Sequence, residues 1–438
     1  MFKQKKLRRL AASLVIALLT AGLATGYAAP DTPGTARELT LDEAVKLALT
    51  NNPTGKIAVF DFEAAKGALT AARSARWFTI SASHKDARSL SAPSVLNPNP
   101  VETDQYTNSA TLNWTLWSGN KVESQVSQAK LDLDSKQWGI AKARQQLKYD
   151  ATDAYFKFMA ARDNVKLSQE SVERLERYLQ DVKLQFEVGV VAKVDVLRSE
   201  VELAKAKQSL IEAQNTYDLA MATLNNIIGF PLTTELNVKG DLSYARYEKE
   251  LAFCVDAALR QRPEISQYTD AAKSAQEAIT IAKSGYLPTV SAVYNAGWYD
   301  SKFAGGNNYN WSVYLLTNWT LFDSGLTAGK VKQAVEGYKK AQEQLKQTVD
   351  SVQLDVRQTY LSLKSAEQSI ATSSSAVGLA EEDYKIKVIR YQAGVGTNLD
   401  VLDAQVALTT AKNNFLKAMY EYNNFRAKLD KAMGAPVN

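Results

Sequence analysis

Apolar residues recur every three or four positions over most of the chain, and every second position in four short stretches. The clearest helical seam is Val401, Ala404, Leu408, Ala411, Phe415, Ala418, Tyr422, Phe425 and Leu429, a strict 3,4 spacing. A parallel seam runs through Val196, Ser199, Leu203, Ala206, Leu210, Ala213, Tyr217, Ala220, Leu224 and Ile227. Large and small residues mostly alternate along both, which lets helix backbones approach and large neighbours fill the gaps. A third seam holds Val335, Tyr338, Leu345, Val349, Val352, Val356, Leu363 and Ile370. Lys, Gln, Asp and Ser fill the opposite faces, so these helices pack sideways and keep one wet side.

The period-2 stretches predict strands at about 76–84, 107–117, 286–298 and 309–322. In the last of them Trp311, Val313, Leu315, Thr317, Trp319 and Leu321 share a face. In the third, Val290, Ala292, Tyr294, Ala296 and Trp298 do so, and in the second Ala110, Leu112, Trp114 and Leu116. Strands of about ten residues with aromatics towards their ends fit a lipid-facing barrel wall, with Trp114, Trp298, Trp311 and Trp319 as the lipid-facing aromatics. Four strands do not close a membrane barrel alone, because about eight is the usual minimum; a trimer supplies twelve. Pro93, Asn97-Pro98-Asn99-Pro100 and Gly305-Gly306-Asn307-Asn308 mark solvent-facing turns between them.

The whole pattern is written twice. Asn113-Trp114-Thr115-Leu116-Trp117 returns as Asn318-Trp319-Thr320-Leu321-Phe322, an offset of 205 positions, and Gly189 with Asp195-Val196-Leu197 returns at the same offset as Gly394 with Asp400-Val401-Leu402. Nearer the start of each half, Leu41, Val45, Leu49 and Pro53 match Leu251, Val255, Leu259 and Pro263 at an offset of 210. Two repeats are therefore expected, 29–240 and 241–438. Each reads as a short helix, a second helix after a proline, two strands, a very long helix from Gly119 or Gly325, a glycine turn and a last helix. Thr40 with Glu43 three residues on makes a capping box for the first. The long helix, about 68 residues, spans roughly 100 Å, and its two flanking helices, about 23 and 37 residues, together span roughly 90 Å. Stacked end to end, those two match the long one, so each repeat supplies two struts of one length. The expected fold is mixed α and β, mostly long helices with four membrane strands, internally duplicated.

Lys3, Lys5, Lys6, Arg8 and Arg9 precede an apolar run from Leu10 to about Ala24, and Gly26-Tyr27-Ala28 follows it. A basic segment, a short apolar core and a small-residue site make residues 1–28 an expected secretory signal. The run is shorter than the roughly 20 residues a spanning helix needs. The formal charge of +5 comes from 52 basic and 47 acidic residues, and removing those five leaves 47 against 47. The charge therefore gives no sign of nucleic-acid binding. Cys254 is the only cysteine, so no intramolecular disulfide forms. His84 is the only histidine and reads as a loop residue near a strand end, and no nucleophile elbow, phosphate loop or metal-ligand pattern occurs. Neither an enzyme nor a cofactor is expected.

The duplication, the LTLDEAVKLALTNNP start (Leu39 to Pro53), the FEVGVVAKVDVL segment and YQAGVGTNLDVLDAQ (Tyr391 to Gln405) resemble the TolC-like outer-membrane efflux protein family over nearly all of the mature length. The resemblance implies a homotrimer in the outer membrane, its twelve strands forming a barrel and its twelve struts a periplasmic α-barrel. It also implies a periplasmic adaptor and an inner-membrane efflux or secretion transporter as partners. Family members serve drug efflux, protein secretion or metal export. In that family the helical tip is the gate. Aspartates matching Asp400 and Asp403 ring the constriction, where they would attract cations and could bind a divalent ion. Asp195 matches a position involved in tip closure, and Gly189, Gly394, Gly396 and Tyr391 lie in the tip turns. Helix capping is the alternative role for Asp400 and Asp195. The family's latch uses an arginine where Gly396 stands here, so closure would use other groups, such as Tyr391 or Lys193. The competing reading is a periplasmic coiled-coil adaptor or scaffold with no pore, though adaptors carry a single helical hairpin rather than a full duplication.

Overall fold

The computed structural model describes residues 37–93, 99–303 and 306–437. The expected signal, 1–28, lies outside them, as do Asn97, Pro98 and Gly305 of the expected turns. Beyond Arg37 the chain, Glu38–Asn438, forms one compact unit.

Strand β1 (Arg37–Leu39) leads into helix α1 (Leu41–Asn51). The Thr40 hydroxyl accepts from Glu43 N at 3.4 Å while the Glu43 carboxylate accepts from Thr40 N at 2.9 Å, so two otherwise unpaired donors are satisfied at the helix start. Pro53 has no N–H to leave unpaired and opens α2 (Pro53–Ser74), with Asn52 Oδ1 accepting from Thr54 N at 2.9 Å. A hairpin of β2 (Thr79–Ser91) and β3 (Val101–Trp117) follows, then α3 (Lys121–Glu187) and α4 (Lys193–Ile228). After β4 (Leu236–Val238) the second half gives α5 (Leu251–Gln261), α6 (Pro263–Lys283), β5 (Thr289–Asp300), β6 (Tyr309–Asn318), α7 (Leu326–Gln392) and α8 (Asn398–Ala432).

Helices α3 and α7 have 67 residues each, roughly 100 Å of rise. The shorter helices meet end to end beside them. Asn51 Nδ2 donates to Ile228 O at 3.1 Å and Asn52 Nδ2 to Ile227 O at 2.9 Å, joining the end of α4 to the start of α2. In the second half Arg262 Nη1 donates to Lys431 O and Ala432 O, both at 3.4 Å, and pairs with Asp355 at 3.2 Å. A left-handed glycine closes each joint, Gly229 (φ 79°) and Gly434 (φ 72°). Helix α3 lies against α2 and α4 on one side and α6 and α8 on the other, and α7 runs along α6 and α8, so four struts stand side by side. Buried clusters knit them: Val356, Leu363, Tyr422 and Leu429 in one, Phe158, Leu224 and Ile228 in another, Val182 and Val401 near the glycine turns.

The main sheet is antiparallel in the order β2-β3-β5-β6, so the hairpin of one half pairs with that of the other. The register puts Ile80, Leu112, Tyr294 and Val313 on one face, and Ser81, Thr111, Asn295 and Ser312 on the other. Among the described residues, the outer edges of β2 and β6 carry no partner strand. The first hairpin is longer than the second: Val101–Gln105 pair only with β2, leaving a two-stranded ribbon beyond the rest of the sheet.

Three details differ from the sequence reading. Strands β2 and β3 extend past Lys85 and before Thr107 into polar sequence, held by ladder bonds and by cross-strand pairs such as Arg88–Glu102 at 2.7 Å. His84 therefore sits inside β2, not in a loop, with Nδ1 2.7 Å from Asn108 Oδ1 and Nε2 2.7 Å from Asp86. Strand β6 stops at Asn318, because the chain from Trp319 turns through left-handed Ser324 (φ 54°) and Gly325 (φ 87°) to start α7. The β1–β4 pair has no counterpart in the sequence reading. The Tyr155 hydroxyl donates to Lys239 O (2.8 Å) and Leu39 O (3.2 Å) beside it.

Candidate functional site at the helical tip

The α3–α4 and α7–α8 turns are built alike. Gly189 (φ 76°) and Gly394 (φ 74°) take the left-handed position that ends a helix. Val190 N then donates to Gln185 O (2.8 Å) and Gly189 N to Phe186 O (3.0 Å), and Val395 N to Arg390 O and Gly394 N to Tyr391 O, both at 3.0 Å. Gly396 follows, and a Cβ there would lie 3.0 Å from Tyr391 N and 3.2 Å from Arg390. The turn thus presses on the helix end, which is a local reason for glycine at the position.

The acidic residues fall into different surroundings. Asp400 is the third residue of α8: its carboxylate accepts from Thr397 N (3.1 Å) and the Thr397 hydroxyl (2.6 Å) and pairs with Lys387 of α7 (3.0 Å). The Thr397 cap, with Lys387 beside it, holds this carboxyl far below the usual range. Asp195, its equivalent on α4, accepts from Ala192 N at 3.3 Å. It lacks the lysine, since Val182 stands where Lys387 does. Asp403 is exposed, in a groove between α4 and α8 with Arg198, Leu197, Val201, Leu399 and Val406. Lys193 is exposed at the first position of α4. Tyr391 is 8% exposed, with its ring 5.5 Å from that of Tyr178.

One residue central to the tip carries no signal in the sequence. Asn398, 3% exposed, opens α8 and reaches into the first repeat. Its Nδ2 donates to Asp195 O (2.9 Å) and Asp195 Oδ1 (3.3 Å), while its Oδ1 accepts from the Tyr178 hydroxyl (2.7 Å) and the Ser199 hydroxyl (3.3 Å). All four bonds join the two halves. Burial pushes the Tyr178 phenol well above its ordinary value, so it stays a donor at any physiological pH. Within a single chain, no group of three or more His, Cys, Asp or Glu is arranged to hold a metal among the described residues. Tip charges thus act as helix caps, as interhelical pairs or as exposed groups.

At the other end of the struts, Trp114, Trp298 and Trp311 share the apolar face of the sheet through the pairings Trp114–Ala292, Trp298–Tyr309 and Ala296–Trp311. Trp319 lies just past β6. Trp114 Nε1 donates to Arg76 O (3.0 Å) and Trp319 Nε1 to Tyr286 O (3.1 Å), so equivalent indoles tie the strands to the helix ends in both halves. No helix among the described residues is long and apolar enough to cross a membrane.

Residues 44–230 and 254–435 match the family described as outer membrane efflux protein. The chain is 26% identical over 357 residues to outer membrane protein TolC of Salmonella enteritidis, covering 77% of this chain and 70% of that one. It is 25% identical over 407 residues to alkaline protease secretion protein AprF of Pseudomonas aeruginosa, covering 89% and 83%. The fold matches the crystal structure of the Campylobacter jejuni CmeC outer membrane channel with a TM-score of 0.82 at 18% identity, covering 90% and 85%.

Proposed function

We infer, because the chain belongs to the outer membrane efflux protein family, that it is an outer-membrane channel protein serving efflux or type I secretion, and not an enzyme. The observation that carries the reading is the sheet: one face apolar, the other mostly Ser, Thr and Asn with Val293, Tyr314 and Leu316 among them, and both outer strands unpaired among the described residues. Such a sheet is costly in lipid until its edges are joined, since each unpaired backbone group in hydrocarbon costs several kcal/mol. Three copies, β6 of each beside β2 of the next, close twelve strands. The apolar face with its tryptophans meets lipid, and the Ser, Thr and Asn face lines the lumen. The four struts of each copy continue below as a helical tunnel. Substrate would enter at the tip from an inner-membrane transporter through a periplasmic adaptor, and Asp403, free of any cap, is the carboxylate for the constriction.

Purified chain is expected to run as a heat-resistant trimer in detergent and to give single-channel conductance in planar bilayers. A water-soluble monomer absent from the outer-membrane fraction overturns the reading. Asp403→Ala is expected to lower cation selectivity and divalent-ion block; unchanged selectivity would take Asp403 out of the pore.

A further inference from the structure

Where α8 ends beside α3, the chain forms a cavity of about 250 Å³. Leu41, Phe156, Ala427 and Val437 supply apolar wall, and Lys148, Arg426, Asp430 and Lys431 supply charge. Arg426 and Asp430 are one turn apart on α8, as are Ala427 and Lys431, so helical spacing brings them to one side. The chain beyond α8 is held against α3, because Gln145 Nε2 donates to Gly434 O (2.9 Å) and Ala435 O (3.4 Å).

Neutral donors of the wall are spent within the chain. The Thr152 hydroxyl donates to Lys148 O (2.7 Å), the Tyr149 hydroxyl to Asn424 Oδ1 (3.1 Å) and Asn423 Nδ2 to Met419 O (2.8 Å). The cations are not spent. Lys148, Arg426 and Lys431 make no ion pair among the described residues, and Lys431 lies over the Tyr149 ring at 5.2 Å. Asp430 lies in the fields of Arg426, Lys148 and Lys249 without pairing to any of them, and burial pushes its carboxyl above the ordinary value. Asp150, the other carboxylate near Lys431, accepts from Gln146 Nε2 at 2.6 Å. Three cations thus border the cavity against one lining carboxyl whose charge burial disfavours.

The fold itself does not require these charges. At the offset of 205, Arg426, Asp430 and Lys431 correspond to Met221, Asn225 and Asn226 on α4. There Asn225, fully buried, donates to Thr234 O (2.8 Å) and Leu232 O (3.3 Å) of the following loop. The same helix end is neutral and tied to its loop in the first half, and cationic beside a cavity in the second.

We propose that this cavity binds a small organic anion, its carboxylate or phosphate held by Lys148 and Arg426, with Lys431 beside them, and its apolar part against Leu41, Phe156 and Ala427. The volume is just below the roughly 300–1,000 Å³ of drug-sized sites, so the ligand is small. A membrane lipid is not the source, because Tyr149 stands roughly 40 Å along α3 from the strand end at Lys121. The cavity is formed within one chain, so the inference does not rest on the trimeric reading, and binding is expected from monomer and trimer alike.

The test titrates isotope-labelled hexanoate into the purified protein in detergent and follows its NMR line width. A saturable component is expected above the linear uptake by micelles. Inorganic phosphate is expected to displace it, and hexanol is not. Arg426→Met with Lys148→Gln installs the residues of the equivalent positions, Met221 and Gln353. That variant is expected to keep its melting temperature and to bind roughly tenfold or more weakly. Should it fail to fold, Ala427→Leu fills the cavity, leaves every charge in place and is expected to remove the saturable component. No saturable component in the wild type, displacement by hexanol rather than phosphate, or an affinity unchanged in a folded variant overturns the site.

Discussion

Asn398 shows how much a single amide can hold at this tip. Removing it by Asn398→Ala leaves the buried Tyr178 hydroxyl without its acceptor, at a cost of about 1–3 kcal/mol, while the Asp195 carbonyl keeps only the Ser199 hydroxyl as a side-chain donor. Amide hydrogen exchange over 193–199 and 398–404 is expected to quicken while the strut joints stay protected. No sequence pattern points to this, since an asparagine at a helix start reads as a cap, and its four bonds reach α3 and α4, some 200 positions away. The aspartates were legible as a pair but not as individuals: Asp400 is held by Thr397 and by Lys387 across a turn, whereas Asp403 is free. Because the Asp400 pKa is depressed on folding, its stabilisation is present above the unfolded value of about 3.9 and is lost as pH falls through the lower folded value. Asp400→Asn is therefore expected to melt earlier than wild type from pH 5 to 8, with the gap narrowing only below about pH 4.

At the scale of elements, four equivalent glycines separate two kinds of helix end. Gly189, Gly394, Gly229 and Gly434 all have left-handed φ, which costs a residue with a Cβ about 1–2 kcal/mol. At Gly189 and Gly394 an added Cβ meets nothing within 4 Å. At Gly229 it would lie 2.7 Å from Asn51 Cβ, and at Gly434 2.7 Å from the Gln261 carbonyl carbon. Alanine is expected to cost only the backbone term at the tip and clearly more at the strut joints, as read from thermal unfolding of the four variants. Helices were legible because their seams are long: Val401, Leu408, Tyr422 and Leu429 are all buried as the 3,4 spacing requires. Strand ends were not, because Lys85 to Ser91 and Val101 to Gln105 have no apolar alternation and are held by the ladder and by pairs such as Arg88–Glu102. The β1–β4 pair was illegible for another reason: three-residue strands carry too few side chains to show a period.

For the molecule as a whole, the duplication fixed most of what could be read: two hairpins, four struts, one sheet made from both halves. The face assignment is the part most open to test. Val313 and Ser312 are neighbours on β6 that point to opposite sides. Val313→Arg on the apolar face is expected to cost about 2–4 kcal/mol if it lies near the bilayer midplane and to cut recovery in the outer-membrane fraction. Ser312→Arg should insert normally and shift ion selectivity towards anions. The unequal hairpins carry a separate consequence. The ribbon of β2 and β3 stands clear of β5 and β6, with charged Arg88, Glu102 and Asp104 along one side and open backbone at both margins among the described residues. In the trimeric channel proposed above, that ribbon points away from the helices, towards the medium. It is thus the natural epitope for an antibody, and one raised against residues 88–91 or 101–104 is expected to label intact cells.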